Sequence, residues 1–379
     1  MNRKSCGIGL EQIIVTKLSK MLIAQGFELS STFGQAVRII ILTVVAFAVA
    51  FFATPAWFKL IKKYQLKKQI RTKEQAPVFN KFHQKKEGTP TGGGIIIWST
   101  VLIMAFAFSA LGHFFDGFWK YLNFVDRAQT YLPIAALLFA ALLGLLDDYL
   151  GVLRIGGSNG GGLKIRFKLI AYTLIAAVGA WWFYFKLDWH VIDVPFFGSF
   201  EIGWWYIPLF MFIIIASAFS ANETDGLDGL LGGSSLFAFT ALTAVTFVSG
   251  KYELAAFGGT VIGALLAFLW FNIYPAKFFM GDTGSMSLGI TMGVIALLTN
   301  TVLLLPFFAV ILVAESVSVI IQMISKKFFR KKVFLSTPFH HHFEALGWPE
   351  SQVTMRFWII SAVFASLGLV LFFLAGFSK

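Results

Sequence analysis

The chain has 379 residues, of which 57% are hydrophobic and 13% charged, and its mean hydropathy is +0.76. Soluble domains carry about 25% charged residues, so this composition excludes a soluble globular protein and predicts an integral membrane protein. The single cysteine, Cys6, excludes an intramolecular disulfide and a cysteine-based metal site.

Apolar runs predict an all-α membrane protein with about ten transmembrane helices, because a span needs about 20 mostly apolar residues. Continuous runs of this length disfavour the alternating strands of a membrane β-barrel. Residues 1–35 contain no evident cleavable signal peptide, and we interpret them as an N-terminal extension before a polytopic domain over 36–379. The predicted spans are centred in 36–58, 95–111, 131–146, 169–187, 204–220, 232–249, 254–273, 286–305, 306–325 and 356–376.

Basic residues set the predicted orientation. They concentrate in the loops that follow odd-numbered spans, above all 59–90 and 326–356, whereas the opposite loops carry few. The positive-inside rule therefore predicts five cytoplasmic loops and two outward termini. Most of the net charge of +12 follows from this topology. The charge also favours anionic lipid and anionic substrates, and nucleic acid is not expected as a partner.

Polar residues gather in these five loops, each of which carries one compact cluster. A transporter more often has its ionisable residues inside the spans near the midplane. Here Glu315 is the main charged residue within a predicted span. The pattern therefore favours chemistry at one membrane face. The clusters are GTPTGGG, LLDDYLG, NETDGLDGL, FFMGDTGSMSLG and TPFHHHFE with the following GWPE.

Acids on several of these loops predict a site for a hard cation. Asp147 and Asp148 end an apolar run, and Asp282 follows a glycine. Alone, such acids are equally well explained by solvation or by helix capping. Adjacent carboxylates repel, however, and they stay ionised only near a cation or a hydrogen-bond donor. Together these acids suit Mg²⁺ or Mn²⁺ held with substrate phosphates. Asp225 and Asp228 would share one helix face if their loop began a helix.

Two further clusters suggest contacts with phosphate. Lys86 precedes the glycine run 88–94, whose backbone N–H groups are candidates for holding phosphate oxygens. Most other lysines of 59–86 are explained by topology alone. Three consecutive histidines at 340–342 rarely converge on one zinc ion, so we predict phosphate contacts or substrate positioning there.

The five clusters, in this order over about residues 36–379, resemble the phospho-N-acetylmuramoyl-pentapeptide transferases. These enzymes are a branch of the polyprenyl-phosphate N-acetylhexosamine-1-phosphate transferases, and the histidine run with GWPE favours this branch over the N-acetylglucosamine branch. The resemblance implies a Mg²⁺-dependent transfer from UDP-MurNAc-pentapeptide to undecaprenyl phosphate, which gives lipid I and UMP. It also implies ten spans in the lipid bilayer of a bacterial inner membrane, a cytoplasmic cleft and a homodimer.

The resemblance also implies roles for individual residues. Asp282 corresponds to the Mg²⁺ ligand, Asp147 and Asp148 to the catalytic acidic pair, and His340 to a catalytic histidine. The positions implied for substrate binding are Lys86, Thr91, Lys168, Asn222, Asp225, Asp228, Phe279, His341 and His342. The sequence departs from the family pattern where lysine, an apolar residue, asparagine and methionine are usual, at Gly151, Glu223, Phe219 and Gly92 respectively.

Two mechanisms and two other functions stay open from the sequence. The lipid phosphate attacks directly with Asp147 or Asp148 as the base, or an aspartyl-phosphate intermediate forms first. A sibling transferase that uses UDP-GlcNAc is the nearer alternative function, and a transporter or flippase without chemistry is the remote one. The depth of the polar clusters disfavours the latter.

Overall fold

The computed structural model describes residues 31–63, 88–153, 155 and 162–377. These residues form a helical bundle with one antiparallel pair of strands, in which Val191 pairs with Glu201. The helices are α1 (Thr32–Lys63), α2 (Ile95–Phe114), α3 (Phe118–Leu122), α4 (Tyr131–Val152), α5 (Ile165–Trp181), α6 (Tyr206–Thr224), α7 (Leu230–Val248), α8 (Tyr252–Asn272), α9 (Asp282–Leu298), α10 (Leu305–Phe308), α11 (Val310–Ile324), α12 (Phe339–Ala345) and α13 (Glu350–Phe377). The strands are β1 (Val191–Val194) and β2 (Gly198–Glu201), between α5 and α6.

Eight helices of the described residues are long and apolar enough to cross a membrane. All ten predicted runs lie on helices, which confirms the prediction of a helical membrane protein. Two of the runs correspond to α9 and α11, whose 17 and 15 residues fall short of the roughly 20 that a span needs. The count of ten is therefore not confirmed. The boundary after residue 35 stays a prediction, and α1 begins before it, at Thr32.

Helix α9 lies at the centre of the bundle. Every residue from Thr283 to Leu298 is buried, and α2, α4, α6 and α7 pack around it. A helix that is apolar on all sides is stable when protein encloses it. Because α9 meets protein rather than lipid, its length does not have to match the bilayer, although its composition resembles that of a span.

Gly289 permits a close contact between α9 and α6. A Cβ at this position would lie 2.4 Å from the Ser217 carbonyl oxygen and 2.8 Å from the Ala221 Cβ. In lipid, burial of apolar surface gives helices little reason to associate, and small residues let their backbones approach closely. This contact fixes α9 against the end of α6, which carries Asn222.

The helix ends that carry the predicted polar clusters meet at one end of the bundle. The last turns of α4 and α6 contact the first turns of α5 and α9 through side-chain hydrogen bonds and ion pairs. The opposite end has a separate polar contact, in which buried Arg38 of α1 donates to the Asn123 carbonyl at 2.6 Å and lies 3.4 Å from Glu253. The chemistry-bearing clusters are thus collected at a single end.

Replacing Gly289 with valine should destabilise the bundle. Overpacking a close contact costs about 1–3 kcal/mol, and here the added side chain meets backbone atoms that cannot move aside. We expect a lower melting temperature for Gly289→Val in detergent, followed by tryptophan fluorescence. Gly376→Val on α13 is the matched control, because a Cβ there meets nothing within 4 Å. Equal melting temperatures for the two variants would contradict the close contact.

Candidate active site

A sharp turn at Gly281 brings Asp282 to the first position of α9. Gly281 has a φ of 76°, in the left-handed region that favours glycine. A Cβ here would lie 2.6 Å from the Asp148 Oδ2 and 2.8 Å from the Thr91 Oγ1. The turn therefore requires glycine both for its conformation and for its space. It gathers three predicted site residues, Thr91, Asp148 and Asp282, around one backbone position.

Asp148 caps α9 from a neighbouring helix. Its Oδ1 accepts the Asp282 N–H at 3.0 Å, and its Oδ2 accepts the Thr283 N–H at 3.1 Å. The first amides of a helix have no partner within that helix, and a carboxylate near them also interacts favourably with the helix dipole. Asp148 thus acts as the N-cap of α9 although it belongs to α4, and it fixes the backbone of Asp282.

The Lys168 ammonium lies between the carboxylates of Asp147 and Asp282. Its Nζ is 2.6 Å from the Asp282 Oδ2 and forms a second ion pair with the Asp147 Oδ2. The side chain of Asp147 is only 2% exposed, that of Lys168 19% and that of Asp282 25%. Two carboxylates this close stay ionised only with a cation between them. Lys168 therefore holds α4, α5 and α9 together by charge.

The remaining oxygens of these two acids are also engaged. The Asn222 Nδ2 donates to the Asp282 Oδ1 at 2.6 Å and lies 3.3 Å from the Ser285 Oγ. The Asp147 Oδ1 accepts the Leu163 N–H. Asn222, predicted to bind the nucleotide sugar, therefore also orients Asp282.

Asp225 and Asp228 hold the turn that precedes α9. Helix α6 ends at Thr224 and α7 begins at Leu230, so the helix that would have given the two acids a common face is absent. Instead the Asp225 Oδ2 accepts the Gly281 N–H at 3.1 Å, and the Asp228 Oδ2 accepts the Ala276 N–H at 3.0 Å. Both carboxylates thereby satisfy backbone amides of the 275–281 segment.

Helix α13 contacts the loop between α6 and α7, residues 225–229, which carries Asp225 and Asp228 and is here called the acidic loop. The sequence does not predict this contact. Glu350 accepts the Asp228 N–H at 2.7 Å, Thr354 donates to the Asp228 carbonyl at 3.2 Å, and Trp358 donates to the Gly229 carbonyl at 3.1 Å. The spacing of four places these three polar side chains on one helix face. That spacing, which begins at the glutamate of GWPE, is a sequence signal for a polar helix face but does not indicate which loop the face contacts.

The glycine run serves a different purpose from the predicted one. The N–H groups of Gly93 and Gly94 donate at 2.8 Å to the carbonyls of Phe279 and Met280, and the Phe279 N–H donates to the Pro90 carbonyl at 2.8 Å. The prediction that the amides of this run hold phosphate is therefore wrong for Gly93 and Gly94. Their pairing places Phe279 beside the turn at Gly281. Lys86 lies outside the described residues.

The three histidines of α12 have three different partners. The buried His340 lies 3.1 Å from the Glu315 Oε2 through its Nδ1, and the His341 Nδ1 lies 2.6 Å from the Glu344 Oε2. The His342 Nδ1 accepts the Leu335 N–H at 3.2 Å. Consecutive helical residues point about 100° apart, which explains the divergence. The described residues accordingly contain no group of three or more His, Cys, Asp or Glu arranged as a metal site.

The donor chemistry at Asp282 still fits a magnesium ion. Mg²⁺ is usually held by one or two carboxylates, with waters and substrate phosphates completing its shell. Asp147 and Asp282 direct one oxygen each at a single cationic group. This pair therefore provides the oxygen ligands and the negative charge that such an ion needs.

Loss of the Asp148 cap should be measurable as stability. We expect Asp148→Ala to lower the free energy of unfolding by about 1–2 kcal/mol, because two amides of α9 lose their acceptor. The stability of Asp148→Asn should lie between those of the unsubstituted protein and Asp148→Ala, because its remaining carbonyl oxygen can still accept one amide. Thermal unfolding in detergent measures the series. An alanine variant as stable as the unsubstituted protein would show that the amides are satisfied without this carboxylate.

Removing the Lys168 charge should cost more, because it leaves two carboxylates facing each other. Breaking one side of a buried ion pair costs about 3–5 kcal/mol, and we expect Lys168→Met to approach that range. The double variant Lys168→Met, Asp147→Asn should recover part of the loss, because it removes one of the repelling charges. A double-mutant cycle on melting temperatures measures the coupling. Strictly additive effects would contradict the bridge.

Comparison with known proteins identifies the chain. The model of a family described as Glycosyl transferase family 4 matches residues 130–300. The phospho-N-acetylmuramoyl-pentapeptide-transferase of Chloroflexus aurantiacus is 36% identical over 352 residues, which cover 89% of this chain and 90% of that protein. Proteins of the same name from Borrelia turicatae and Shouchella clausii are each 37% identical, with 86% of this chain and 93% and 94% of those proteins covered. At this identity and coverage, the chain belongs to the phospho-N-acetylmuramoyl-pentapeptide-transferase family.

Proposed function

We propose that this site transfers phospho-MurNAc-pentapeptide from UDP-MurNAc-pentapeptide to undecaprenyl phosphate, with Mg²⁺, and releases lipid I and UMP. The observation that carries the proposal is the convergence of Asp147, Lys168 and Asp282 beside the turn at Gly281. A phosphoryl-transfer site needs little covalent chemistry from the protein and depends on placing charges around two anionic reactants. The names of the relatives support the choice of sugar donor.

Asp282 is the residue that would hold Mg²⁺, with Asp147 as the neighbouring carboxylate. When bound, Mg²⁺ supplies neutralisation of the diphosphate and of the charge on the leaving UMP. Lys168 keeps the two carboxylates together and contributes a positive charge beside the reacting phosphates. Asn222 orients Asp282 by its hydrogen bond at 2.6 Å.

Within direct attack, Asp147 is the better candidate for the base that takes the last proton from the lipid phosphate. The oxygens of Asp148 accept two amides of α9, so protonation of Asp148 would weaken the cap that places Asp282. Asp147 does not cap α9 in this way, and its carboxylate forms an ion pair with Lys168. Incorporation of labelled UMP into the sugar nucleotide without lipid acceptor would instead support the aspartyl-phosphate route.

The site would face the cytoplasm. The supporting observation is that lysine and arginine are concentrated in the loops at this end of the helical bundle, including the exposed Lys326, Lys327 and Arg330 after α11. We also propose that two copies of the chain form a homodimer.

Glu223, which departs from the family pattern, lies near enough to His340 to act on it electrostatically, so we place it at the same end of the site.

The decisive measurement is UMP release by the full chain in detergent, with both substrates and Mg²⁺. We expect Asp282→Asn to reduce the rate by about 10³-fold, equivalent to about 4 kcal/mol of transition-state stabilisation. Chelation of Mg²⁺ should abolish release, and its return should restore it. Asp116→Asn is the matched control, because this exposed acid pairs with Lys120 away from the site.

The same assay separates the alternatives by donor. Turnover with UDP-GlcNAc and none with UDP-MurNAc-pentapeptide would identify the sibling transferase. Lipid movement without UMP release would identify a transporter or flippase.

A further inference from the structure

Glu315 is the one acid that the sequence places inside a predicted span, and the reaction proposed above gives it no task. It lies on α11, its side chain is fully buried, and both of its oxygens face α12. The Oε1 and the Oε2 each lie 3.2 Å from the His340 backbone nitrogen, which donates to them. An ionised carboxylate buried among apolar helices is costly unless it is paired. The structure therefore provides Glu315 with a partner rather than a lipid-facing position.

The ring of His340 completes that pair. Its Nδ1 lies 3.1 Å from the Glu315 Oε2, and its side chain is 1% exposed. Neither ring nitrogen makes an aligned hydrogen bond within the described residues, so the contact with Glu315 is an ion pair when the ring is protonated. An imidazole with no aligned hydrogen bond is held in place by charge and by packing.

The packing partner is the acidic loop. A Cβ at Gly226 would lie 2.2 Å from the His340 Nε2, so the ring edge rests directly against this loop. The adjacent Asp225 accepts the Gly281 N–H, and Gly281 precedes Asp282. Direct contacts therefore lead from Glu315 through His340 to the residue proposed to hold the metal.

We propose that Glu315 is a positioning residue of the transferase site, which fixes the His340 imidazolium against Gly226 and thereby holds the loop that places Asp282. The inference rests on the proposed function. It assigns Glu315 to the reaction through His340 and not through contact with substrate. Shortening or neutralising this carboxylate releases the ring from α11, although every residue proposed to touch substrate is unchanged.

The charge around His340 agrees with this role. Burial lowers the pKa of its imidazole, but the negative charges of Glu315, Glu344 and Glu223 outweigh burial and raise the pKa above the ordinary value. His341, whose ring centroid is 4.1 Å away, is the other titratable group that faces it, and His341 pairs with Glu344. A raised pKa means that the imidazolium and its pairing persist at low pH and are lost as pH rises through the raised value.

The first test measures His340 directly and does not depend on activity. Selective ¹³C labelling of the six histidines in the full chain, with His340→Gln to identify the signal, gives its titration in detergent. We expect a pKa above about 6.5 in the unsubstituted protein and a lower one in Glu315→Gln. Ser316→Ala is the matched control, because this buried neighbour bonds Ser220 on α6 and should leave the titration unchanged. An unmoved pKa in Glu315→Gln overturns the proposal.

The second test measures UMP release against pH. Carboxylates that orient functional histidines at metal sites contribute about 10–100-fold, and we expect Glu315→Gln to lower kcat by that order with little change in KM. The alkaline limb of the pH–rate profile of Glu315→Gln should move to lower pH than in the unsubstituted protein. Glu315→Asp keeps the charge and should retain more activity than Glu315→Gln. A uniform loss at every pH would indicate a merely structural role and overturn the proposal. No release by the unsubstituted protein would refute the proposed function, while the titration would still decide the pairing.

Discussion

The ammonium of Lys168 is the charge on which the site depends. It lies between the Asp147 and Asp282 carboxylates, which belong to different helices and would repel each other without it. Lys168 is in the first turn of α5, and its charged end reaches the carboxylates of α4 and α9. One cation thus links three helix ends, and any Mg²⁺ that binds Asp282 shares carboxylates with it.

The enclosed position of α9 makes this arrangement precise. Its start is fixed by Asp148 at two amides and by Asp225 at the Gly281 amide, and its middle is fixed by close packing at Gly289. The segment between α8 and α9 is only partly exposed, and its amides at Ala276 and Gly281 have acceptors within the protein. Carboxylates are these acceptors. A large part of the acidic character of this end is therefore committed to building the turn that presents Asp282.

The helices and the polar clusters were predictable from the sequence because both are local patterns. Their partners were not, since partners depend on which helices pack together. Glu350, Thr354 and Trp358 show a spacing of four, yet nothing in the sequence indicates that they meet the Asp228 loop. The glycine run predicts phosphate contacts for the amides of Gly93 and Gly94, but these amides pair with residues 279–280, which are distant in the sequence. The span count of ten is not confirmed for a similar reason, because whether α9 meets lipid or protein is a tertiary property.

The contacts divide the acids into two kinds, and the division bears on how substitutions are interpreted. Asp148, Asp225 and Asp228 accept backbone amides, so their loss changes architecture as well as charge. Asparagine keeps one accepting oxygen, which can still accept the Gly281 N–H at position 225 or the Ala276 N–H at position 228, but it cannot replace the two-oxygen cap of Asp148. A rate loss in Asp148→Asn therefore includes displacement of α9. Asp147 and Asp282 share the Lys168 cation instead, although Asp147 also accepts the Leu163 amide. They are the acids whose charge a metal and a phosphoryl substrate can use.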